Sequence, residues 1–414
     1  MKKFARFSFF VLGVGLSGTS LMPLQGVTKT LKDIVRSPIA LPLELPEVID
    51  ENQAIFLPVA DGQRVLTTLD PRLQKALQDF IKKQDNPIAS VVVVEVKTGR
   101  ILALAQGREP RKWGATVHTG LYPGFPAASI FKLVPTSAAL QVVHIDPTSN
   151  LSANDGCSNV NPHGLWMYNF SPGKTDGMSL ENAFAHSCNS FFAKLALQYV
   201  GMGLISQFAD KFGWGHPIPA DFYIPLSPID LPLAGASNIQ TVGRFAAGFG
   251  RVGLSPVHAA WFNLLIANKG QPQPLRITTS PNVILTSEIR SHTGLDEATS
   301  WKIRQIMHKT VVSGTARGVF HRKRYRKIMP FVGGKTGTLT SQELKAQVTW
   351  FAGLMPYENP EVIVSSVVVL DGDKWRIRGP DLAAEAFYQW LLLKNDEEPK
   401  LRLQSLSEPP RKGL

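Results

Sequence analysis

The strongest constraint on the fold is that strand-forming segments fall into two groups far apart in the 414-residue chain. The first group, residues 89–107, contains two β-branched, apolar runs joined by the turn Lys97-Thr98-Gly99-Arg100. The second group contains three segments, at 331–338, 346–356 and 361–373. Residues 127–268 between the groups have a mainly helical pattern with Gly and Pro in the loops. Because strands from both groups must pair to complete one sheet, the sequence predicts an α+β domain with an inserted helical region.

A helix is predicted at each end of this domain. In "TTLDPRLQKALQDFIKKQ" Asp70 is a suitable N-cap and Pro71 a suitable first helical residue. The apolar residues that follow have helical spacing and form one stripe: Leu73, Leu77, Phe80 and Ile81. Near the C-terminus, "GPDLAAEAFYQWLLLK" (379–394) predicts a second, more apolar helix.

Charge and the N-terminal pattern together favour an exported protein. A formal net charge of +12 and a pI near 9.6 fit a polyanionic partner, either nucleic acid, an anionic membrane surface or an anionic substrate. Lys2, Lys3 and Arg6 precede an uncharged, mostly apolar run, as in a secretory signal. Residues 1–26 are therefore either a cleaved signal peptide or a retained membrane anchor. Export to the periplasm or the outer face of the cytoplasmic membrane argues against nucleic acid as a partner.

The rest of the chain divides by composition. Residues 27–65 are rich in Pro and predict a tether, residues 66–395 predict the folded domain, and residues 396–414 predict a flexible charged tail. Two Cys rule out a disulfide framework and a zinc site made of four Cys, and the nine His show no metal spacing. We therefore expect no metal and no cofactor. Cys157 and Cys188 could pair in an oxidising compartment, but we expect Cys188 to be a small buried thiol.

A candidate nucleophile occurs in "FPAASIFKLVPTSAALQ" (125–141). If a helix begins near Ser129, the spacing of three places Ser129 and Lys132 on the same helix face. A serine hydroxyl needs a base to take its proton, and a lysine can serve when burial lowers its pKa. The apolar residues around this pair, such as Phe131, could provide that burial.

The short motifs are not unique in this chain, so their order and setting must select among them. Ser-x-x-Lys also occurs at Ser171–Lys174, Ser-x-Asn occurs three times, and Lys-Thr-Gly occurs twice. One ordered set has a suitable setting throughout. Ser129–Lys132 opens a helix, Ser187-Cys188-Asn189 lies where one helix can give way to another, and Lys335-Thr336-Gly337-Thr338 follows two glycines on a predicted strand.

With these motifs in this order, residues 66–395 resemble the penicillin-binding transpeptidases, members of the penicillin-recognising serine acyl-transferases. The resemblance extends to the entry helix "LTTLDPRLQKAL", the hairpin "VVVVEVKTGRILALA" and the segment "FGRVGLSPVHAAWFNLLIANKG". It implies a β-lactamase/transpeptidase-like fold, in which a five-stranded antiparallel sheet is flanked by terminal helices. On this resemblance we expect a small form of the family that lacks the glycosyltransferase domain and the large N-terminal pedestal of bigger relatives.

The resemblance also implies a role for each motif residue. Ser129 would attack a D-alanyl-D-alanine carbonyl with Lys132 as base. Ser187 would pass a proton to the leaving amine, and Asn189 would hold Lys132 and the substrate amide. Lys335, Thr336, Gly337 and Thr338 would bind the substrate carboxylate, and the backbone N–H groups of Ser129 and Thr338 would form the oxyanion hole.

The acceptor of the acyl group separates the candidate functions. Class A β-lactamases activate the deacylating water with a glutamate that lies downstream of the second motif. In this chain the second motif is Ser187–Asn189, and residues 182–287 contain no Glu. We therefore expect a peptidoglycan D,D-transpeptidase that uses an amine acceptor on stem peptides and is acylated by β-lactams. One alternative is a D,D-carboxypeptidase or serine β-lactamase with water as acceptor. Another is a non-catalytic β-lactam sensor or scaffold that binds cell-envelope proteins.

Overall fold

The computed structural model describes most of the predicted domain. The described residues are 38–42, 45–46, 54–58, 64–84, 86–107, 117–152, 157, 177–232, 239–280, 285–288, 294–370 and 377–407. The strands within them are β1 (Phe56–Pro58), β2 (Arg64–Leu66), β3 (Ile88–Glu95), β4 (Ile101–Gln106), β5 (Phe125–Pro126), β6 (Asn150–Ser152), β7 (Gly177–Ser179), β8 (Gly253–Leu254), β9 (Gly333–Ser341), β10 (Ala346–Met355) and β11 (Val362–Leu370).

Helices occupy most of the remaining described chain. The α-helices are α1 (Pro71–Gln84), α2 (Leu133–Gln141), α3 (Leu180–Ala185), α4 (Asn189–Leu195), α5 (Gly201–Lys211), α6 (Ile239–Arg244), α7 (Pro256–Ala267), α8 (Glu297–Val312), α9 (Arg317–Phe320) and α10 (Gly379–Ser407). A 3₁₀ turn (Ala128–Lys132) precedes α2, and short π-helical segments follow α4 (Ala196–Val200) and α6 (Phe245–Phe249).

A five-stranded antiparallel sheet unites the two ends of the domain. Its strand order is β4-β3-β11-β10-β9, so the early hairpin pairs with the last of the late strands. This confirms the predicted α+β class and the five-stranded sheet. The early hairpin alone would be marginally stable, whereas the shared sheet ties residues more than 250 positions apart, such as Val91 and Ser366.

The sheet is covered on both faces, which explains why its central strands are apolar at consecutive positions rather than at alternate ones. Val91 and Val93 of β3 pack in a core with residues of α1 and α10, among them Leu77 and Phe387. On the other face lies α7, every residue of which is buried. The predicted terminal helices therefore flank the sheet, and the helical insertion supplies its second cover.

The local signals at the start of the domain have the predicted conformations. Asp70 Oδ1 accepts hydrogen bonds from the N–H groups of Arg72 and Leu73 at 2.8 and 3.1 Å, which caps α1. The first Lys-Thr-Gly lies in the β3–β4 turn, closed by Gly99 N–H donating to Glu95 O at 3.0 Å. Gly99 has φ +71°, a conformation that favours glycine. This Lys-Thr-Gly is a structural turn.

The prediction of a tether at 27–65 is wrong for the part that the structure describes. Ile39 is buried and donates its N–H to Asp221 O at 3.0 Å, and β1 pairs with β2. Ile55, Leu57 and Val65 are also buried. These apolar residues alternate along the chain and pack one face of the segment against the domain, because burying them is more favourable than leaving them in water.

In the structure α10 continues to Ser407, beyond the predicted end of the domain at residue 395. This segment, "DEEPKLRLQSLS", contains many good helix formers, among them Glu, Lys, Leu, Arg and Gln, but it also contains Pro399, which removes one backbone hydrogen bond of the helix. The predicted signal or anchor at 1–26 lies outside the described residues. None of the helices within the described ranges is long and apolar enough to cross a membrane.

Candidate active site

The nucleophile segment is a 3₁₀ turn that leads into α2. Ala128 opens it with φ +49°, a conformation that costs energy in a residue other than glycine. In a 3₁₀ turn, residues three apart lie directly above one another. Lys132 Nζ accordingly lies 2.7 Å from Ser129 Oγ. The predicted pairing of these two side chains is present, although the α-helix itself begins only at Leu133.

Lys132 is fully buried. Among the described residues, the hydrogen-bond partners of its Nζ atom are hydroxyl, amide and backbone carbonyl oxygens, and none of them is a carboxylate. Nζ donates to Asn189 Oδ1 at 2.8 Å and to Ala247 O at 2.7 Å. Burial, reinforced by the charge of Lys335, holds the pKa of Lys132 well below its usual value of 10.5. A neutral amine has two N–H groups for these two acceptors and one lone pair that can face Ser129 Oγ. The geometry therefore suits a base better than a permanent cation.

The second motif lies in the turn between α3 and α4. Ser187 has φ +56°, and its Oγ lies 3.5 Å from Lys132 Nζ. Cys188 forms a disulfide with Cys157, so the prediction of a free buried thiol is wrong. Asn189 donates its N–H to Cys157 O at 2.8 Å, which adds a second link between the motif and the 157 segment. The covalent bond and this hydrogen bond restrain the turn that carries Ser187 and Asn189.

The third motif lies on β9, the edge strand of the sheet. Lys335 is fully buried, and burial lowers its pKa to about 7. Its Nζ donates to Thr336 O at 3.0 Å and lies 5.3 Å from the ring centroid of Phe184. The hydroxyl oxygens of Thr336 and Thr315 are 2.5 Å apart. The charge of the Lys335 side chain therefore changes with pH near neutrality.

Gly337 allows β9 to pass close to the nucleophile segment. A Cβ at this position would lie 3.2 Å from Ile130 Cγ1, 3.3 Å from Trp350 Cβ and 3.4 Å from Ala127 O. Trp350 on β10 also donates its indole N–H to Pro126 O at 2.9 Å, which joins β10 to the strand before Ser129. A side chain at position 337 would therefore crowd the nucleophile segment, and the threonines on either side of Gly337 line the cleft.

Sequence reasoning missed the segment after α6 that closes the site from the other side. Ala247 supplies the carbonyl that binds Lys132, and Gly248 has φ +97°. A Cβ on Gly248 would lie 2.3 Å from Ala128 O and 3.1 Å from Ser129 N. The run "AAGFG" (246–250) was the available signal, since glycines next to apolar residues often mark a close backbone approach.

The three motifs open on one cleft of about 380 Å³. Its described lining residues are Ser129, Ser187, Asn189, Phe249, Thr315, Thr336, Thr338, Thr349, Arg378 and Pro380. The structure brings together every residue predicted for the site, with Lys132 and Lys335 buried behind the cleft wall. Thr315, Phe249 and Arg378 are additional lining residues that no motif indicated. None of the described lining residues is Asp or Glu, so the cleft suits an anionic ligand.

Known proteins share both the sequence pattern and the fold. Residues 89–391 match the model of the penicillin binding protein transpeptidase domain. The chain is 27% identical over 361 residues to the peptidoglycan D,D-transpeptidase PbpA of Mycolicibacterium smegmatis (strain ATCC 700084 / mc(2)155), covering 78% of this chain and 70% of that protein.

Two solved structures illustrate the shared fold. The imipenem acyl-enzyme complex of penicillin-binding protein A from Mycobacterium tuberculosis superposes with a TM-score of 0.61 at 20% identity, covering 80% of each chain. The D,D-transpeptidase domain of a peptidoglycan glycosyltransferase from Eggerthella lenta gives a TM-score of 0.62 at 19% identity, covering 87% of this chain and 98% of that one. With the family model matched over most of the domain, this chain belongs to the penicillin binding protein transpeptidase family.

Proposed function

We propose that the chain is a peptidoglycan D,D-transpeptidase that forms an acyl-enzyme at Ser129. The observation that carries this proposal is the environment of Lys132. Its Nζ lies 2.7 Å from Ser129 Oγ and is held in place by Asn189 Oδ1 and Ala247 O. A buried lysine with a lowered pKa and only neutral acceptors around it is suited to take the serine proton.

In the acylation step, Ser129 Oγ attacks the carbonyl carbon of the D-alanyl-D-alanine bond while its proton passes to Lys132 Nζ. The ammonium that forms is stabilised at once, because two neutral acceptors already lie at 2.7 and 2.8 Å. The backbone N–H groups of Ser129 and Thr338 would stabilise the oxyanion. Each such donor typically contributes about 3–4 kcal/mol of transition-state stabilisation.

Collapse of the tetrahedral intermediate breaks the C–N bond and leaves an ester on Ser129. The leaving nitrogen of D-alanine needs a proton, and Ser187 Oγ would pass it from Lys132; the distance of 3.5 Å between Ser187 Oγ and Lys132 Nζ supports this role. Lys132 then returns to its neutral form. Asn189 keeps Lys132 in place during both transfers and leaves its amide N–H groups for the substrate backbone.

Recognition of the terminal carboxylate falls to Lys335, Thr336 and Thr338. Burial lowers the pKa of Lys335 to about 7, so the free site carries only part of a positive charge near neutral pH. An arriving carboxylate favours the charged form and raises that pKa again. Binding of the anion and protonation of Lys335 are therefore coupled.

The acceptor is proposed to be an amine of a second stem peptide. Among the described residues that line the cleft, no carboxylate is present to activate a water molecule against the ester. An amine is intrinsically more nucleophilic than water. It attacks the ester carbonyl and gives one proton to Lys132, and as the ester C–O bond breaks, Lys132 passes a proton to Ser129 Oγ, 2.7 Å away, which restores the hydroxyl. The products are a cross-linked peptide and free D-alanine.

We further propose that this reaction takes place outside the cytoplasmic membrane, where cell-envelope proteins are possible partners. The N-terminal pattern of a positive region followed by an apolar run supports this location. Peptidoglycan stem peptides would be the substrate, and β-lactams, which resemble the acyl donor, would acylate Ser129.

The test is a coupled assay with a stem pentapeptide ending in D-alanyl-D-alanine and an excess of an amine acceptor, followed by mass spectrometry. The wild type and Ser313→Ala, a matched change of an exposed serine outside the cleft, should release D-alanine and form the amine adduct. Ser129→Ala should form neither product. Free tetrapeptide as the main product would identify a carboxypeptidase, and no D-alanine release by the folded wild type would favour a binding protein.

A further inference from the structure

Thr315 lines the cleft, although it belongs to none of the three motifs and has no part in the mechanism above. It lies between α8 and α9 and is exposed, so a ligand in the cleft can reach it. Thr349 is the other threonine outside the motifs among the described lining residues. The Thr349 hydroxyl is already used within the fold, because it donates to Val368 O at 2.9 Å and accepts the Gly379 N–H at 3.0 Å. Of these two threonines, Thr315 is therefore the one whose hydroxyl can serve the cleft.

The backbone of Thr315 is fixed against the end of α3, directly before the second motif. Its N–H donates to Ala185 O at 3.0 Å, and the next residue, Ala316, is buried. A Cβ on Gly314 would lie 2.2 Å from Ala185 O, so this close approach requires a glycine at position 314. Backbone contacts, rather than the Thr315 side chain, therefore set the position of Thr315 relative to the turn that carries Ser187.

The side chain of Thr315 reaches across to the third motif. Its Oγ1 lies 2.5 Å from Thr336 Oγ1 and 3.3 Å from Ala185 O. A threonine hydroxyl has one proton to donate and two lone pairs that can accept. The hydrogen bond between the two hydroxyl oxygens therefore uses the proton of one of them. Which threonine donates decides whether Thr336 keeps its own proton for the cleft.

Two arrangements of these protons fit the geometry. In the first, Thr336 donates to Thr315 and Thr315 donates to Ala185 O, so Thr336 presents only lone pairs to the cleft, and these repel a carboxylate. In the second, Thr315 donates to Thr336, and the Thr336 proton is left for the cleft. The change from the first to the second costs little, because Ala185 O still accepts the Thr315 N–H at 3.0 Å and loses only the longer bond of 3.3 Å.

We propose that Thr315 is a positioning residue for the substrate carboxylate and acts through Thr336. The inference rests on the proposed function, in which the terminal carboxylate of the acyl donor binds at Lys335, Thr336 and Thr338. When the carboxylate arrives, Thr315 donates to Thr336, and Thr336 donates to the carboxylate. A hydroxyl that accepts one hydrogen bond is polarised by it and becomes a stronger donor in the next. Thr315 thus contributes to the preference for acyl donors that end in a carboxylate.

Two thioester donors provide a matched pair of probes. N-Benzoylglycyl thioglycolate carries a carboxylate on the carbon next to the thioester sulfur, and its methyl ester lacks that charge. With either donor, attack by Ser129 on the thioester carbonyl breaks the C–S bond and releases a thiol, which a thiol reagent detects. An excess of an amine acceptor regenerates the free enzyme, and kcat/KM for the thioester reports the steps up to acylation.

The quantity compared is the ratio of kcat/KM for the acid to kcat/KM for the methyl ester. The proteins would be the wild type, Thr315→Val, Thr315→Ser and Thr340→Val, the last a matched change of an exposed β9 residue that does not line the cleft. We expect the ratio to fall about fivefold in Thr315→Val, as for the loss of one hydrogen bond, with kcat/KM for the methyl ester unchanged. Thr315→Ser keeps a hydroxyl and should keep the ratio, and Thr340→Val should keep it as well.

An equal fall of kcat/KM for both donors in Thr315→Val would overturn the proposal, because Thr315 would then support the site as a whole and not recognition of the carboxylate. An unchanged ratio in Thr315→Val would also overturn it, as would an equal fall of the ratio in Thr315→Ser or in Thr340→Val. Each of these outcomes leaves the proposed function standing. If the folded wild type released no thiol from either donor, the proposed function would fail first, and the positioning role would fail with it.

Discussion

Gly248→Ala is predicted to disable the nucleophile without unfolding the protein. Gly248 has φ +97°, and the new Cβ would lie 2.3 Å from Ala128 O, whereas Cβ atoms are essentially never found within 3.0 Å of another atom. The two backbones must therefore separate by about 0.7 Å or more. Because Gly248 follows Ala247, the separation pulls the Ala247 carbonyl away from the turn that carries Ser129 and Lys132, and this weakens the hydrogen bond that holds Lys132 Nζ in place.

The expected loss follows from that displacement. A misplacement of about 1 Å in a catalytic constellation can cost about 100-fold in rate, so we expect acylation of Gly248→Ala by a fluorescent penicillin to be about 10- to 100-fold slower. The positive φ adds strain of about 1–3 kcal/mol, which lowers the melting temperature but leaves the domain folded at 25 °C. The assay is the second-order acylation constant, with a melting curve on the same sample.

Gly203→Ala is the matched control. Gly203 lies in α5, and no atom lies within 4 Å of the position that its Cβ would occupy. The control should acylate at the wild-type rate and be more stable by about 0.5–1 kcal/mol. If folded Gly248→Ala also acylated at the wild-type rate, the close approach of residues 247–248 would have no role in positioning Ser129.

Three further predictions concern pH and the disulfide. For the free enzyme, acylation should fall as pH rises above about 7, because Lys335 loses its charge there, and Lys335→Arg should remove this alkaline limb of the profile. Burial lowers the pKa of His258 to about 4, so the unfolded state binds more protons below about pH 6.5. His258 should therefore contribute a drop of about 2 kcal/mol in the free energy of unfolding between neutral pH and pH 5, and in urea titrations His258→Gln should show a drop that is smaller by about this amount. Reduction of Cys157–Cys188 should slow acylation about tenfold by freeing the turn that carries Ser187, and the Cys157→Ser, Cys188→Ser double variant should be slow with or without reductant.

Features encoded by neighbouring residues could be predicted from the sequence. The Asp70 cap, the β3–β4 turn and the Ser129–Lys132 pair each depend on a few adjacent residues with clear conformational preferences. The pairing of distant strands also followed, because five apolar strands need one shared sheet. The ordered motifs then placed Asn189 and Lys335 in the site.

Features that depend on backbone atoms or on distant packing could not be predicted. The carbonyl of Ala247 binds Lys132, but any residue has a carbonyl, so no side-chain pattern reveals it. Cys157 reaches Cys188 across 31 residues, and that pairing depends on the path of the intervening chain. Arg378 reaches the cleft only because Gly379 packs on β10. The misjudged tether at 27–65 shows the same limit, since its apolar residues needed a partner surface that only the fold provides.

The most direct test of the central claim is intact-protein mass spectrometry after incubation with benzylpenicillin, followed for one hour after the excess drug is removed. The account predicts one added penicillin on the wild type, located on the peptide that contains Ser129 and retained through the hour, and no addition to Ser129→Ala. Loss of the adduct within seconds would mean that water is an efficient acceptor, and the transpeptidase assignment would be wrong. An adduct on Ser129→Ala, or none on the folded wild type, would contradict the proposed nucleophile.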